Sequence, residues 1–333
     1  MRGAGRRRAR LPGGGVALAA ALAAVLALAA ASLFVGVSAV PLREVLAGRP
    51  DVLEVFWVSR VPRTVAAVLA GAALAVAGLV MQMVARNRFV EPSTVGTVES
   101  AMLGILVVTV LAPGHTPLAK MAVAACFALA GTFLFLALVR RVPSRSSLLV
   151  PLVGIMLGGV VSAATTFFAY RLNLLQALNA WTYGDFSGVL RGRYELLWAV
   201  GAMAVIGYAA ADRFTVAGLG EDVSRGLGVD HRAVVRLGVV VVALIAAVTV
   251  TTVGSLPFLG LVVPNAVSLV VGDSARRAVP WAAALGAGLV LACDIAARTV
   301  RYPFEVPVGL VMAVVGAAVF LALLAGRRRR GLA

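Results

Sequence analysis

The sequence predicts an all-helical protein that crosses a membrane about ten times. Of its 333 residues, 61% are hydrophobic and 13% are charged, and the mean hydropathy is +1.00. Soluble domains average about 45–50% apolar and about 25% charged residues. The apolar residues fall into blocks of about 18 to 24, the length that crosses a hydrocarbon core of roughly 30 Å. This pattern excludes an ordinary soluble enzyme.

Ten blocks have this length, and turn residues or charges separate them. They are residues 14–36, 62–84, 95–112, 117–139, 147–170, 194–211, 234–253, 256–272, 279–297 and 306–325. The apolar length of the first block favours an uncleaved span over a secretory signal. We expect a single transmembrane domain over residues 1–333.

The basic residues predict the orientation. If the N-terminus is cytoplasmic, twenty of the thirty Lys and Arg residues fall on the cytoplasmic side, as the positive-inside rule requires. Both arginine-rich tails are then cytoplasmic. The net charge of +16 needs no nucleic-acid partner, because most arginines lie between or beyond the apolar blocks, near lipid head groups.

The order of the spans predicts an inverted repeat. Spans two to five and spans seven to ten form two sets of four, offset by five positions. An odd offset makes the matching spans run in opposite directions, as in the inverted repeats of transporters.

The residues provide no catalytic centre of their own. Cys126 and Cys293 lie in apolar blocks, and the two histidines are far apart, so neither a disulfide nor a metal site is predicted. The only lysine, Lys120, precedes Met121, which excludes a Walker A motif. We expect no cofactor on this chain, and any ATP to be hydrolysed by another subunit.

The span centres contain almost no acids, which makes an ion-coupled carrier the less favoured alternative.

Two polar segments have alternative interpretations. In the internal loop 212–236, the stretch 219–229 (LGEDVSRGLGV) predicts a short helix with acids in its first turn and glycines at its end. It is either a solvated connector or a helix that docks on another subunit. The external segment 173–194 is either an aromatic interfacial belt or a short re-entrant helix at an outer gate and docking surface.

Four stretches together resemble the ABC importer permeases for iron chelates and cobalamin. They are residues 60–78, 87–97, 219–229, and a closing run from 253–265 through 293–298 to 304–310. The resemblance implies the ten-span fold of the cobalamin-importer permease, in the cytoplasmic membrane. It also implies three kinds of protein partner: ABC ATPase subunits that use the ATP, an extracellular solute-binding protein, and a second identical or sister permease.

The resemblance also assigns roles to residues. The outer arginines are expected to be exposed and to pair with acids of the solute-binding protein, and the alternative is that they anchor the helix ends near lipid head groups. They are Arg60, Arg63, Arg298 and Arg301. The residues expected to couple to the ATPase are Leu219, Gly220, Glu221, Asp222, Arg225, Leu227 and Gly228.

Polar side chains in the spans are candidates for the translocation path. They are Thr165, Thr166, Pro264, Asn265 and Ser268. For the threonines, a bond within the helix is the stronger alternative. For Asn265, a path role and repair of the kink at Pro264 are equally supported.

Departures from the commonest family pattern suggest the substrate. Residues 87–92 read NRFVEP where many members have N-P-L-A-x-P, and Asn265 and Ser268 stand where many have His and Arg. With the stretches 164–170, 181–195 and 211–222, these resemble the branch that imports ferric catecholate siderophores such as enterobactin or petrobactin. Another iron chelate, haem or cobalamin is the alternative cargo.

Overall fold

The computed structural model describes residues 14–36, 41–141 and 149–329. Within these ranges the chain forms helices and no strands. The longer helices are α1 (Gly14–Phe34), α4 (Val61–Val84), α5 (Thr97–Leu111), α6 (Pro117–Val139), α7 (Leu149–Arg171), α9 (Leu197–Ala209), α12 (His231–Val253), α13 (Leu259–Val271), α14 (Ala275–Thr299) and α15 (Val308–Arg329). The short helices are α2 (Leu42–Leu46), α3 (Pro50–Val55), α8 (Leu175–Thr182), α10 (Ala211–Ala217) and α11 (Glu221–Gly226).

Each of the ten predicted blocks contains one of the longer helices. In the described residues, seven helical segments are long and apolar enough to span a membrane, and α9 and α10 form an eighth candidate bent by 61°. The remaining two, α5 and α13, are apolar but shorter. The all-helical polytopic fold is therefore confirmed, while ten complete crossings remain a prediction.

The two shorter helices, α5 and α13, each begin after a residue in the left-handed conformation. Gly96 precedes α5 with φ of 81°, and Phe258 precedes α13 with φ of 65°. Each left-handed residue ends an irregular segment that leads into its helix. Irregular backbone is tolerated at membrane depth only when protein buries it, and here Glu91 in the first segment accepts a hydrogen bond from the Phe258 backbone N–H (3.2 Å) in the second. The two irregular segments therefore support each other.

The packing of the helices follows the predicted inverted repeat. The set α4 to α7 matches the set α12 to α15, and the first helix of each set packs on the second and third helices of the other. Thus α4 contacts α13 and α14, while α12 contacts α5 and α6. The two lead helices also contact each other, and they are the most buried apolar segments of the described chain. They form the centre of the bundle.

Glycines allow α4 to approach its neighbours closely. A Cβ atom on Gly71 would lie 2.6 Å from the Gly286 carbonyl oxygen of α14, and one on Gly78 would lie 2.1 Å from the Gly260 carbonyl oxygen of α13. These distances leave no room for a side chain. Gly71 and Gly286 therefore allow α4 and α14 to pack closely.

The start of the second span differs from the prediction. The apolar pattern predicted a span beginning at residue 62, with Arg60 before it and Arg63 at its start, but the helix is continuous from Pro50 to Val84. A π-helical turn, Phe56–Arg60, joins α3 to α4. Both arginines therefore lie inside the helix rather than in a preceding loop. Prediction from apolar length missed this continuous helix, because it began the span at residue 62, after the charge of Arg60.

Candidate functional site

The predicted coupling segment, residues 212–236, consists of three pieces of helix rather than a loop. It contains most of α10, all of α11 and the first turns of α12. The predicted short helix is confirmed: Gly220 precedes α11 with φ of 113°, and Gly228 follows it with φ of 73°. The buried Ser224 hydroxyl donates to the carbonyl oxygens of Gly220 (2.6 Å) and Val216 (3.1 Å), which fixes α11 against α10.

An exposed apolar ridge runs along α11. Leu219, Val223 and Leu227 form this ridge and are 57%, 46% and 62% exposed. Val223 lies in α11, and Leu219 and Leu227 flank the helix. Beside the ridge, Arg225 donates to Glu221 (2.7 Å), and both side chains are exposed. Asp222 is exposed as well. An apolar face next to adaptable charges can bind another protein surface.

The opposite end of the bundle, called here the outer end, contains a buried ion-pair network. Asp294 on α14 accepts from Arg63 on α4 through its Oδ1 atom (2.8 Å) and from Arg298 through its Oδ2 atom. Arg63 also donates to Glu305 (2.7 Å). The side chains of Asp294 and Arg298 are 0% and 1% exposed. Burying such charges is costly, and the mutual pairs and hydrogen bonds offset that cost.

The same network holds the end of α1. Arg298 donates to the carbonyl oxygens of Ser32 (2.9 Å) and Val35 (2.6 Å), and Arg60 donates to Val35 as well (2.7 Å). The last carbonyls of a helix lack partners within it, and basic side chains often supply them. The network therefore joins α1, α4 and α14.

This geometry corrects the expectation of exposed outer arginines. Arg60, Arg63 and Arg298 are all buried, and only Arg301 is exposed. Sequence reasoning missed their partners, because Arg63 and Asp294 are 231 residues apart and neither position alone shows a pattern. The local signal was the spacing of four residues between Asp294 and Arg298, near the outer end of their span.

The candidate path residues fall into two groups. On α7, Thr165 is buried and donates to the Val161 carbonyl oxygen (2.8 Å), as in the alternative of a bond within the helix, whereas Thr166 is exposed. On α13, Pro264 and Ser268 line a cavity of about 510 Å³ at the inner end of the bundle, beside the coupling segment. The structure does not bring the two groups together.

Asn265 and Gln82 repair the kink at Pro264. Proline has no N–H for the Gly260 carbonyl, and Gln82 donates to that oxygen instead (3.3 Å). The Asn265 side chain donates to the carbonyls of Leu261 (2.7 Å) and Arg88 (2.8 Å). It therefore ties α13 to the irregular segment before α5.

Glu91 was quoted in a motif, but its role was not predicted. Its carboxyl is buried and accepts from the Ser93 hydroxyl (2.7 Å) and from the Phe258 N–H. A buried carboxyl needs such partners. The unusual NRFVEP stretch is thus the internal link between the two halves of the repeat.

The external segment 173–194 contains a short helix, α8, followed by irregular backbone. The Gly184 N–H donates to the Ser255 carbonyl (3.1 Å), and the Gly184 carbonyl accepts from the Gly309 N–H (2.8 Å). The backbone N–H of Asp185 donates to the Val253 carbonyl (2.8 Å). These bonds fix the segment to the end of α12 and the start of α15. Its gate role remains a prediction.

Comparisons with known proteins agree with this architecture. Residues 22–326 match the FecCD transport family. The chain is 44% identical over 309 residues to the petrobactin import system permease of Bacillus anthracis, covering 93% of this chain and 91% of the relative. It is 43% identical over 266 residues to the ferric-anguibactin transport permease of Vibrio anguillarum, covering 80% and 85%.

A solved structure has the same fold. An inward-facing metal-chelate type ABC transporter superposes with a TM-score of 0.80 at 23% identity, covering 93% of this chain and 99% of that chain.

Proposed function

We propose, given that this chain belongs to the FecCD transport family, that it is the membrane-spanning permease of an ATP-driven importer of ferric siderophores. The observation that carries the substrate class is the 44% identity to a petrobactin import permease along 93% of the chain. The catecholate branch suggested by residues 87–92 and 265–268 agrees with that relative. The chain moves its cargo by alternating access and performs no covalent chemistry.

The energy enters through the coupling segment. In this proposal the ridge of Leu219, Val223 and Leu227 packs in a cleft of a partner ATPase, and Glu221, Asp222 and Arg225 make charged contacts at its rim. Gly220 and Gly228 set the angle at which α11 is presented. ATP is bound and hydrolysed by the partner, and Ser224 transmits the displacement of α11 to α10.

The outer end receives the loaded binding protein. In this proposal the docking surface consists of the exposed Arg301 and the segment 173–194. The buried Arg60, Arg63 and Arg298 stabilise the helix ends beneath it. Exposed charges act mainly on association rate and register. Both termini are placed in the cytoplasm, as the distribution of basic residues favours.

A second permease completes the path. The apolar face of α7 is largely exposed in the single chain, including Ile155 (58%), Met156 (65%) and Val160 (70%). A second copy or a sister chain covers such a face in this proposal, so that Thr166 faces the path between the two subunits. Asn265 and Ser268 act at its inner end.

The test is uptake of radiolabelled ferric petrobactin by proteoliposomes that hold this chain with its ATPase and binding protein. We expect uptake that requires ATP on the ATPase side and is competed by catecholate chelates. Uptake of cobalamin instead would keep the importer and reject the substrate. Uptake driven by an ion gradient without ATP would reject the importer itself.

A further inference from the structure

A second cavity, of about 400 Å³, opens at the outer end and contains none of the residues assigned above as path or coupling residues. Part of its wall, including Trp181 and Arg193, belongs to the segment 173–194. It lies where α5 ends, α6 begins and α12 ends, and residues 188–196 form one wall. Pockets for small molecules have volumes of roughly 300–1,000 Å³. The cavity is therefore large enough for a small ligand or for part of a larger one.

Basic groups dominate the charge of this cavity. His115, Lys120 and Arg193 line it, and no acidic residue does so among the described residues. Within the described part of the chain, none of these three side chains has a hydrogen bond or an ion pair. Lys120 is half-buried, and the positive end of the α6 dipole at Pro117 lies beside it. His115 and Arg193 are exposed. The positive charges of Lys120 and Arg193 at this cavity favour an anionic ligand.

The other walls are apolar or aromatic. Trp181, Ile105 and Val189 line the cavity together with threonines at the ends of α5 and α12. The Thr109 and Thr252 hydroxyls donate to carbonyls of their own helices (both 2.7 Å), so each presents an oxygen lone pair rather than a proton. A ligand that fits has negatively charged oxygens and a flat or apolar body that can contact the Trp181 ring.

We infer that this outer basic cavity binds the anionic oxygens of a partly apolar small molecule, through Lys120 and Arg193. Two sources share this chemistry. One is the catecholate or carboxylate group of the imported chelate, which rests on the proposed function. The other is the phosphate headgroup of an anionic lipid in the outer leaflet. Charge-assisted bonds from Lys and Arg suit either group.

The test compares two variants of equal charge. Lys120→Gln with Arg193→Gln removes both cations from the cavity, whereas Arg43→Gln with Arg49→Gln removes two exposed outer charges that do not line it. The full chain is placed in phosphatidylcholine nanodiscs. Affinity is measured separately for ferric petrobactin and, by native mass spectrometry, for dioleoylphosphatidylglycerol.

The expected result is a loss of affinity of at least tenfold for one probe in the cavity variant, with the control within twofold of the unmodified chain. The probe that is affected identifies the source, and its binding should weaken as salt rises. Equal affinity in both variants, or no binding of either probe, would overturn the inference. The uptake assay is independent: ATP-driven uptake with no cavity binding rejects the cavity alone, while lipid binding without uptake rejects the proposed function alone.

Discussion

The two ends of the molecule use the same residue types in opposite ways. At the outer end, Asp294 and its arginine partners are buried and join α1, α4 and α14. At the inner end, Arg88 pairs with Asp273 at 2.9 Å, but these side chains are 49% and 65% exposed. The bond lengths are similar and the surroundings differ. Burial, rather than residue type, decides whether an ion pair stabilises the fold or stays accessible to another protein.

The largest predicted effect separates the two ends directly. Asp294→Asn leaves the buried Arg298 guanidinium without a counter-charge and Arg63 with Glu305 alone, and breaking a buried pair costs about 3–5 kcal/mol. The matched control, Asp273→Asn, breaks an exposed pair worth about 0–1 kcal/mol. Unfolding temperature in detergent measures both. Equal losses would mean that the outer network is not structural.

The second prediction concerns the apolar ridge of α11. Val223→Ser with Leu227→Ser should weaken association with the ATPase about tenfold or more, because burial of each such side chain is worth about 1.5–3 kcal/mol. The unfolding temperature should not change, since both side chains are exposed. Co-purification with the ATPase is the measurement. The control, Leu111→Ser, changes an exposed apolar side chain (78%) at the outer end. The ridge has no coupling role if both variants bind alike.

A third prediction tests the kink between the two ends. Asn265→Ala removes the side-chain donor to the Leu261 and Arg88 carbonyls, at a cost of about 1–3 kcal/mol where a buried carbonyl is left without a partner. The control, Ser268→Ala, removes one bond to a carbonyl of its own helix and should cost less. Unfolding temperature and uptake are measured together. Lost uptake at unchanged stability would assign Asn265 to the path rather than to the kink.

The smallest predicted effect lies on the outer surface. Arg301→Glu should slow docking of the binding protein a few-fold at low salt, with the difference fading as salt screens the charge. Arg49→Glu, on the same end but away from the docking surface, should have less effect. Association rates measured by surface plasmon resonance decide this, and identical rates for the two variants would remove Arg301 from the docking surface.

Much of this fold could be read from periodicity and length. Each of the ten apolar blocks contains a helix, and α11 lies where acids, glycines and spacing placed it. These features are local, so a short window of residues determines them. The inverted repeat was also predictable, because it follows from the order of the spans.

The contacts between distant residues could not be read in this way. Nothing near Arg63 indicates that its partner is Asp294, and nothing near Glu91 indicates Phe258. A terminal arginine of an apolar block has the same local sequence whether it faces head groups, a partner or another helix. The expectation of exposed outer arginines therefore failed at Arg60, Arg63 and Arg298, where tertiary packing decides.

A double-mutant cycle tests most directly whether burial decides how much each ion pair contributes to stability. The free energy of unfolding is measured for Arg63→Met, Asp294→Asn and their combination, and for Arg88→Met, Asp273→Asn and theirs. We predict a coupling energy of about 1.5–3 kcal/mol for the buried pair, the range of hydrogen bonds to charged groups, and about 0–1 kcal/mol for the exposed pair. Equal coupling energies at the two ends would contradict the account.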